Sequence, residues 1–198
     1  EAGLLAAGES PTLDANIPAH LRDPRGRWYG ISVRARTLVY NTATTKPAGL
    51  STYAALAEPA WKGKLCLRTS QKVYNQSLVA AFIAALGEER AEAIVRGWVA
   101  NLAAEPFASD DEVILAVASG RCAVGIVNTY YFGRQQRADA KLPVAIFWPD
   151  QGPGERGVHV NVSGAGVTTH AKEPAEARRF LEWLSTDAAQ EMFAGLNL

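Results

Sequence analysis

Apolar and polar positions alternate in two different periods along this chain, and the change between them outlines its elements. Trp28 to Tyr40 holds Ile31, Val33, Leu38 and Val39 and predicts one long extended segment. Ser51 opens a short helix that Pro59 ends, and Lys64 to Leu67 predicts a strand. Tyr74 to Leu86 follows helical spacing, with Leu78, Val79, Phe82, Ile83 and Leu86 on one face and Gly87 closing it. A second helix is predicted from about Glu88 to Leu102. A third begins at Ser109, where Ser109-Asp110-Asp111-Glu112 matches a capping box, and ends at Gly120.

Cys122 to Val127 is a short apolar run of the kind that forms a buried strand, and a helix begins beyond it within Phe132 to Ala138. Val144 to Trp148 predicts another strand, Pro149 to Gly157 a turn, and Val158 to Val162 renewed extension. Pro174 sits early in a helix running to about Leu184, and a last helix spans Asp187 to Ala194. Helix and strand alternate throughout, so the fold class is α/β. The two extended segments bracket a compact central block, which suits a lobe entered and left by two crossing strands that act as a hinge.

Composition narrows the function classes. With 198 residues the chain can bury a real core, as one large domain or two small ones. Lys plus Arg equals Asp plus Glu, 20 each, so the basic excess that nucleic acid or an acidic membrane surface requires is missing. No apolar run approaches the roughly 20 residues needed to cross a bilayer. The opening Glu1-Ala2-Gly3-Leu4-Leu5 reads as the tail of a helix already under way, and Gly195-Leu196-Asn197-Leu198 stops abruptly; a fragment cut at both ends is expected. Cys66 and Cys122 fall in two predicted strands. A disulfide between neighbouring strands and a pair of buried thiols are equally compatible with that placement.

Enzyme signatures are missing: there is no GxSxG elbow, Walker-type loop, GxGxxG turn or HExxH helix. Ser163-Gly164-Ala165-Gly166 reads as a tight crossing or bulge. His20, His159 and His170 have no spacing that suggests a joint metal site. Three tyrosines stand out instead. Tyr130 and Tyr131 lie where a strand gives way to a helix, and Tyr74 occupies an equivalent corner after the polar loop Arg68-Thr69-Ser70-Gln71-Lys72. In a parallel sheet such corners share one edge, where open α/β folds place ligands, although core or interface packing also accounts for a tyrosine pair. Arg34 and Arg36 fall on one face of the long extended segment. They suit an anion in the cleft, or simple solvation. Phenols titrate near 10, so they bind a cation at neutral pH only if it displaces their protons. A hard trivalent ion such as Fe(III) does this, whereas Ca(II) or Mg(II) favours carboxylates and carbonyls, and Cu(I) wants sulfur.

Trp28-Tyr29-Gly30-Ile31-Ser32-Val33-Arg34-Ala35-Arg36, Trp61-Lys62-Gly63-Lys64, Tyr74-Asn75-Gln76-Ser77, Asn128-Thr129-Tyr130-Tyr131 and Val162-Ser163-Gly164-Ala165-Gly166 occur in an order that resembles the periplasmic ferric-ion-binding proteins. These are the substrate-binding components of bacterial iron(III) ABC transporters. The resemblance implies a two-lobe, transferrin-like fold of the type II periplasmic-binding-protein class. One lobe would be complete (37–160) and the other partial (1–36 and 161–198). It implies Fe(III) ligation by Tyr74, Tyr130 and Tyr131, with carbonate or a similar small synergistic anion held by Arg34, less readily by Arg36, and with Asn128 near the anion as in phosphate-using members. First-lobe ligands found in longer members have no counterpart here. An ABC-type inner-membrane permease would be the partner and the periplasm the location. The full-length protein would be a monomer, without nucleic-acid binding or membrane insertion. A sister protein binding a phosphonate, sulfate or thiamine-like solute is the nearest alternative. An enzyme on the same architecture would need a nucleophile–base pair, which the sequence does not display.

Overall fold

A computed structural model describes residues 3–197. Glu1, Ala2 and Leu198, in the termini read above as cut ends, lie outside the described residues. The chain forms two compact units, Glu1–Arg34 with Asn161–Leu198, and Ala35–Val160. The elements are α1 (Pro11–Asn16), β1 (Tyr29–Asn41), β2 (Leu65–Cys66), α2 (Val73–Leu86), α3 (Glu88–Ala100), α4 (Asp110–Ala118), β3 (Val124–Asn128), α5 (Thr129–Ala138), β4 (Val144–Phe147), β5 (His159–Ala165), α6 (Pro174–Leu184) and α7 (Asp187–Asn197). This is the expected α/β alternation.

The sheet runs β2-β3-β1-β4, with β5 pairing to β1. β1 is antiparallel to β3, setting Arg36 opposite Asn128 and Leu38 opposite Ile126. β2 and β3 are parallel, with Cys66 opposite Gly125. Side chains alternate across the sheet. Leu38, Leu65, Val124 and Ile126 therefore join Leu78, Phe82, Ile94 and Trp98 on the α2/α3 face. Val39, Cys66 and Val127 join Val113, Ile114 and Val117 on the α4 face. Both faces are covered, which is why Cys122 to Val127 is apolar without interruption. Gly125 faces α4 so closely that an added Cβ would come within 2.5 Å of a Val113 methyl. A side chain there would push helix from sheet.

Cys66 and Cys122 form a disulfide, their Cα atoms 5.8 Å apart, which settles the alternative left open by the sequence. The parallel pairing of β2 with β3 brings the two residues together. Replacing both by alanine should cost about 2–4 kcal/mol, because the bridge closes a 56-residue separation in the unfolded chain. Urea denaturation of the variant beside the unaltered protein checks this, and a change below about 1 kcal/mol would refute it.

Several local expectations need correction. On α2 only Leu78 and Phe82 are buried; Ile83 and Leu86 are 41% and 43% exposed. The contact with α3 is a narrower stripe than the apolar count implied. Ser51 to Pro59 yields a 3-10 turn at Ala54–Ala57 rather than a regular helix. Gly3 to Leu5 is not the tail of a helix: Leu5 bridges Thr168, and Ala6 donates its N–H to the Val167 carbonyl. The unit that holds these residues has its own core of Leu13, Ile17, Tyr29, Val167 and Leu181.

Candidate functional site

Because β2 and β3 are parallel, the turns that follow them lie at the same edge of the sheet, and each leads into a helix. Val73 opens α2 and Thr129 opens α5, so Tyr74, Tyr130 and Tyr131 all stand in first helical turns. The Tyr74 and Tyr130 hydroxyls are 3.4 Å apart. The rings of Tyr130 and Tyr131 are tilted by 31° with centroids 4.3 Å apart. All three side chains are half-buried. The predicted tyrosines thus come together within the Ala35–Val160 unit.

Neither helix start carries a side-chain cap, so their terminal N–H groups and positive dipole ends face this edge. Burial first, then the adjacent hydroxyls of Tyr131 and Tyr74, push the Tyr130 phenol above its ordinary value. The free phenol is therefore protonated at neutral pH, and a bound cation must displace that proton. Among the described residues no three His, Cys, Asp or Glu side chains gather as a metal-binding group. Any hard cation at this edge meets phenols.

Three cations surround the cluster. The Arg134 guanidinium lies 4.7 Å from the Tyr131 ring centroid and 5.6 Å from that of Tyr130. Arg68 lies 5.1 Å from the Tyr74 ring centroid and Arg36 5.9 Å. Burial of Arg68 opposes its charge, but the Tyr131 phenol and the Asp110 carboxylate outweigh that and raise its value. Sequence reasoning missed Arg134 as a neighbour of the pair, although its positions three and four residues beyond them in one helix predict contact.

The two arginines of β1 part company. Arg36 is fully buried, pairs with Asp110 at 2.7 Å and donates to Asn75, Asn128 and the Ile126 carbonyl. Its carbonyl accepts the Tyr53 hydroxyl. The cleft-facing anion role considered for Arg36 is incompatible with this enclosure. Arg34 belongs to the other unit, where it donates to the Ser163 hydroxyl at 2.5 Å. Asn128 is fully buried; its Oδ1 accepts from Arg36, and its Nδ2 has no hydrogen-bond partner among the described residues.

Two other features fall elsewhere. Ser77 Oγ lies 3.1 Å from His159 Nε2, a pairing across 82 residues that no local spacing reveals. Burial, then the Arg36 charge, hold that imidazole below its ordinary value. A groove of about 690 Å³ lined by Lys46, Trp61, Lys64 and Arg121 sits at the other end of β3 from the tyrosines.

A two-faced α/β unit with ligand-type side chains at the strand-to-helix edge has the form of a solute-binding lobe. The chain belongs to the bacterial extracellular solute-binding protein family, whose model matches residues 1–198. It is 46% identical over 203 residues to Iron uptake protein A2 of Synechocystis, covering all of this chain and 59% of that protein. It superposes on the Trichodesmium protein solved with iron and citrate ligands with a TM-score of 0.91 at 41% identity, over 99% of this chain and 63% of that one. The Bordetella ferric binding protein gives 0.89 at 37% identity, over 98% and 63%. The chain thus spans about three-fifths of these relatives' length. Among the described residues no helix is long and apolar enough to cross a membrane.

Proposed function

We propose that this chain is part of a protein that captures Fe(III) through the phenolates of Tyr74, Tyr130 and Tyr131 and delivers it to an ABC-type permease. The observation that carries the reading is the convergence of phenols from two separate strand-to-helix corners, with the Tyr74 and Tyr130 hydroxyls 3.4 Å apart. Phenolate oxygens are hard, anionic donors, and three of them offset the charge of a trivalent ion. The relatives named for iron uptake and ferric binding support the same cargo.

A small anion, carbonate or citrate-like, fills further coordination positions. The uncapped start of α5 provides backbone donors beside the tyrosines, and Asn128, as enclosed as Arg36, sets where that helix begins. Arg34 is the cationic candidate for that anion. Iron is cargo here: no bond of a substrate is broken, and the protein acts as a carrier rather than an enzyme. The Cys66–Cys122 disulfide suits an oxidising compartment, and with the family's extracellular character supports the periplasm.

Titration with ferric nitrilotriacetate tests the proposal. A visible phenolate-to-iron charge-transfer band should grow to saturation at one iron per chain. It should fade as the pH falls, since protons compete with the metal for phenolate. A colourless protein with no bound iron after desalting would end the ferric reading.

A further inference from the structure

We infer that Asp110 is a positioning residue for the tyrosine cluster: one buried carboxylate holds both tyrosine-bearing corners through residues next to the tyrosines. The functional meaning of this rests on the ferric reading above, whereas the positioning itself is measurable without metal.

The carboxylate is fully enclosed. Its Oδ2 accepts Arg36 Nη1 at 2.7 Å and the backbone N–H of Asn128 at 2.8 Å. Its Oδ1 lies 3.7 Å from Arg68 Nη1. Asn128 is the residue from which α5 departs, two positions before Tyr130, so the bond to its N–H fixes where that helix begins. Arg36 relays the same anchor to the other corner. Its Nη2 donates to Asn75 Oδ1 at 2.7 Å and to the Ile126 carbonyl at 3.1 Å, while Nη1 reaches Asn128 Oδ1 at 3.2 Å. Asn75 follows Tyr74 directly and donates its own Nδ2 to the Arg68 carbonyl at 2.7 Å. Asn75 thus adjoins Tyr74, and Asn128 stands two residues before Tyr130.

Charge gives the arrangement its second consequence. Arg36 and Arg68 both lie against the Tyr74 ring, and Asp110 is the carboxylate that pairs with both. An amide at position 110 keeps the shape but removes the charge that holds two guanidinium groups close together. Both anchors converge on Oδ2 and Oδ1 faces Arg68 Nη1, so the amide NH2 either meets that guanidinium donor to donor or, if the group turns over, takes the shared acceptor away from Arg36 and Asn128. The corners then separate, and the hydroxyl spacing that a single metal ion requires is lost. Disturbing groups that orient metal ligands typically weakens binding about 10- to 100-fold.

The test uses Asp110→Asn and Asn75→Ala in chain 1–198 carrying 13Cζ-labelled tyrosine. In metal-free protein, Asp110→Asn should shift the Tyr74 and Tyr130 resonances, and Asn75→Ala should shift Tyr74 while leaving Tyr131 in place. With ferric nitrilotriacetate, Asp110→Asn should compete about 10- to 100-fold less well and move the charge-transfer band. Unmoved tyrosine resonances would overturn the proposal, even if the melting temperature falls, because Asp110 would then serve stability alone. Shifted resonances with unchanged iron affinity would overturn it as well. Shifted resonances in a chain whose unaltered form takes up no iron would uphold the positioning and reject the ferric reading. If Asp110→Asn fails to fold, Asn75→Ala decides: an unmoved Tyr74 signal refutes the relay.

Discussion

Replacing Tyr130 and Tyr131 together by phenylalanine is expected to abolish the charge-transfer band and weaken ferric binding by more than about a hundredfold. The reasoning is one of donor count. Phenylalanine retains the ring packing, including the 4.3 Å contact between the two rings and the cation–π contacts with Arg134, but removes two anionic oxygens from the site. Among the described residues no group of three or more His, Cys, Asp or Glu forms an alternative metal site. Stability should change little, since these half-buried hydroxyls lie at the sheet edge and the rings that pack there are kept. Competition with nitrilotriacetate at neutral pH, read alongside a urea melt, separates the outcomes. An intact band in the double variant would mean that iron, if bound, sits elsewhere.

Arg36→Ala is expected to cost about 3–5 kcal/mol of stability, the range for removing one partner of an enclosed ion pair. The side chain is fully buried, and its loss strands the Asp110 carboxylate, the Asn75 oxygen and the Asn128 oxygen together. Arg34→Ala, two residues earlier, should lie within about 1 kcal/mol of the unaltered protein, because its partner Ser163 is a solvent-exposed hydroxyl contact. Urea midpoints with unchanged slopes measure both. Equal losses for the two arginines would contradict the burial assigned to Arg36.

The contrast between these arginines marks the limit of reading by period. Arg34 and Arg36 share a strand face in the sequence, yet one is held by Ser163 and the other lies inside a network that joins Asn75, Asp110 and Asn128. Alternation tells which way a side chain points, but what covers that face is contributed by α2 and α4 from far along the chain. Asp110 was legible as part of a helix cap, and it does sit at the start of α4 with Ser109 accepting the Glu112 N–H. Its larger part, binding Arg36 across 74 residues, has no local signature. The Ser77–His159 pair escaped for the same reason.

Local pattern alone was enough for the α/β class, most element positions, and the three tyrosines at strand-to-helix corners. Burial periodicity, caps and glycine stops act within a few residues and are written directly in the chain. Only the tertiary structure decided that Cys66 and Cys122 are bonded, that Arg36 is enclosed and that the Tyr74 and Tyr130 hydroxyls meet. Each of these depends on the parallel register of β2 with β3 and the antiparallel register of β1 with β3. Such pairings balance backbone hydrogen bonds and packing between segments many tens of residues apart, and no short window of sequence contains them.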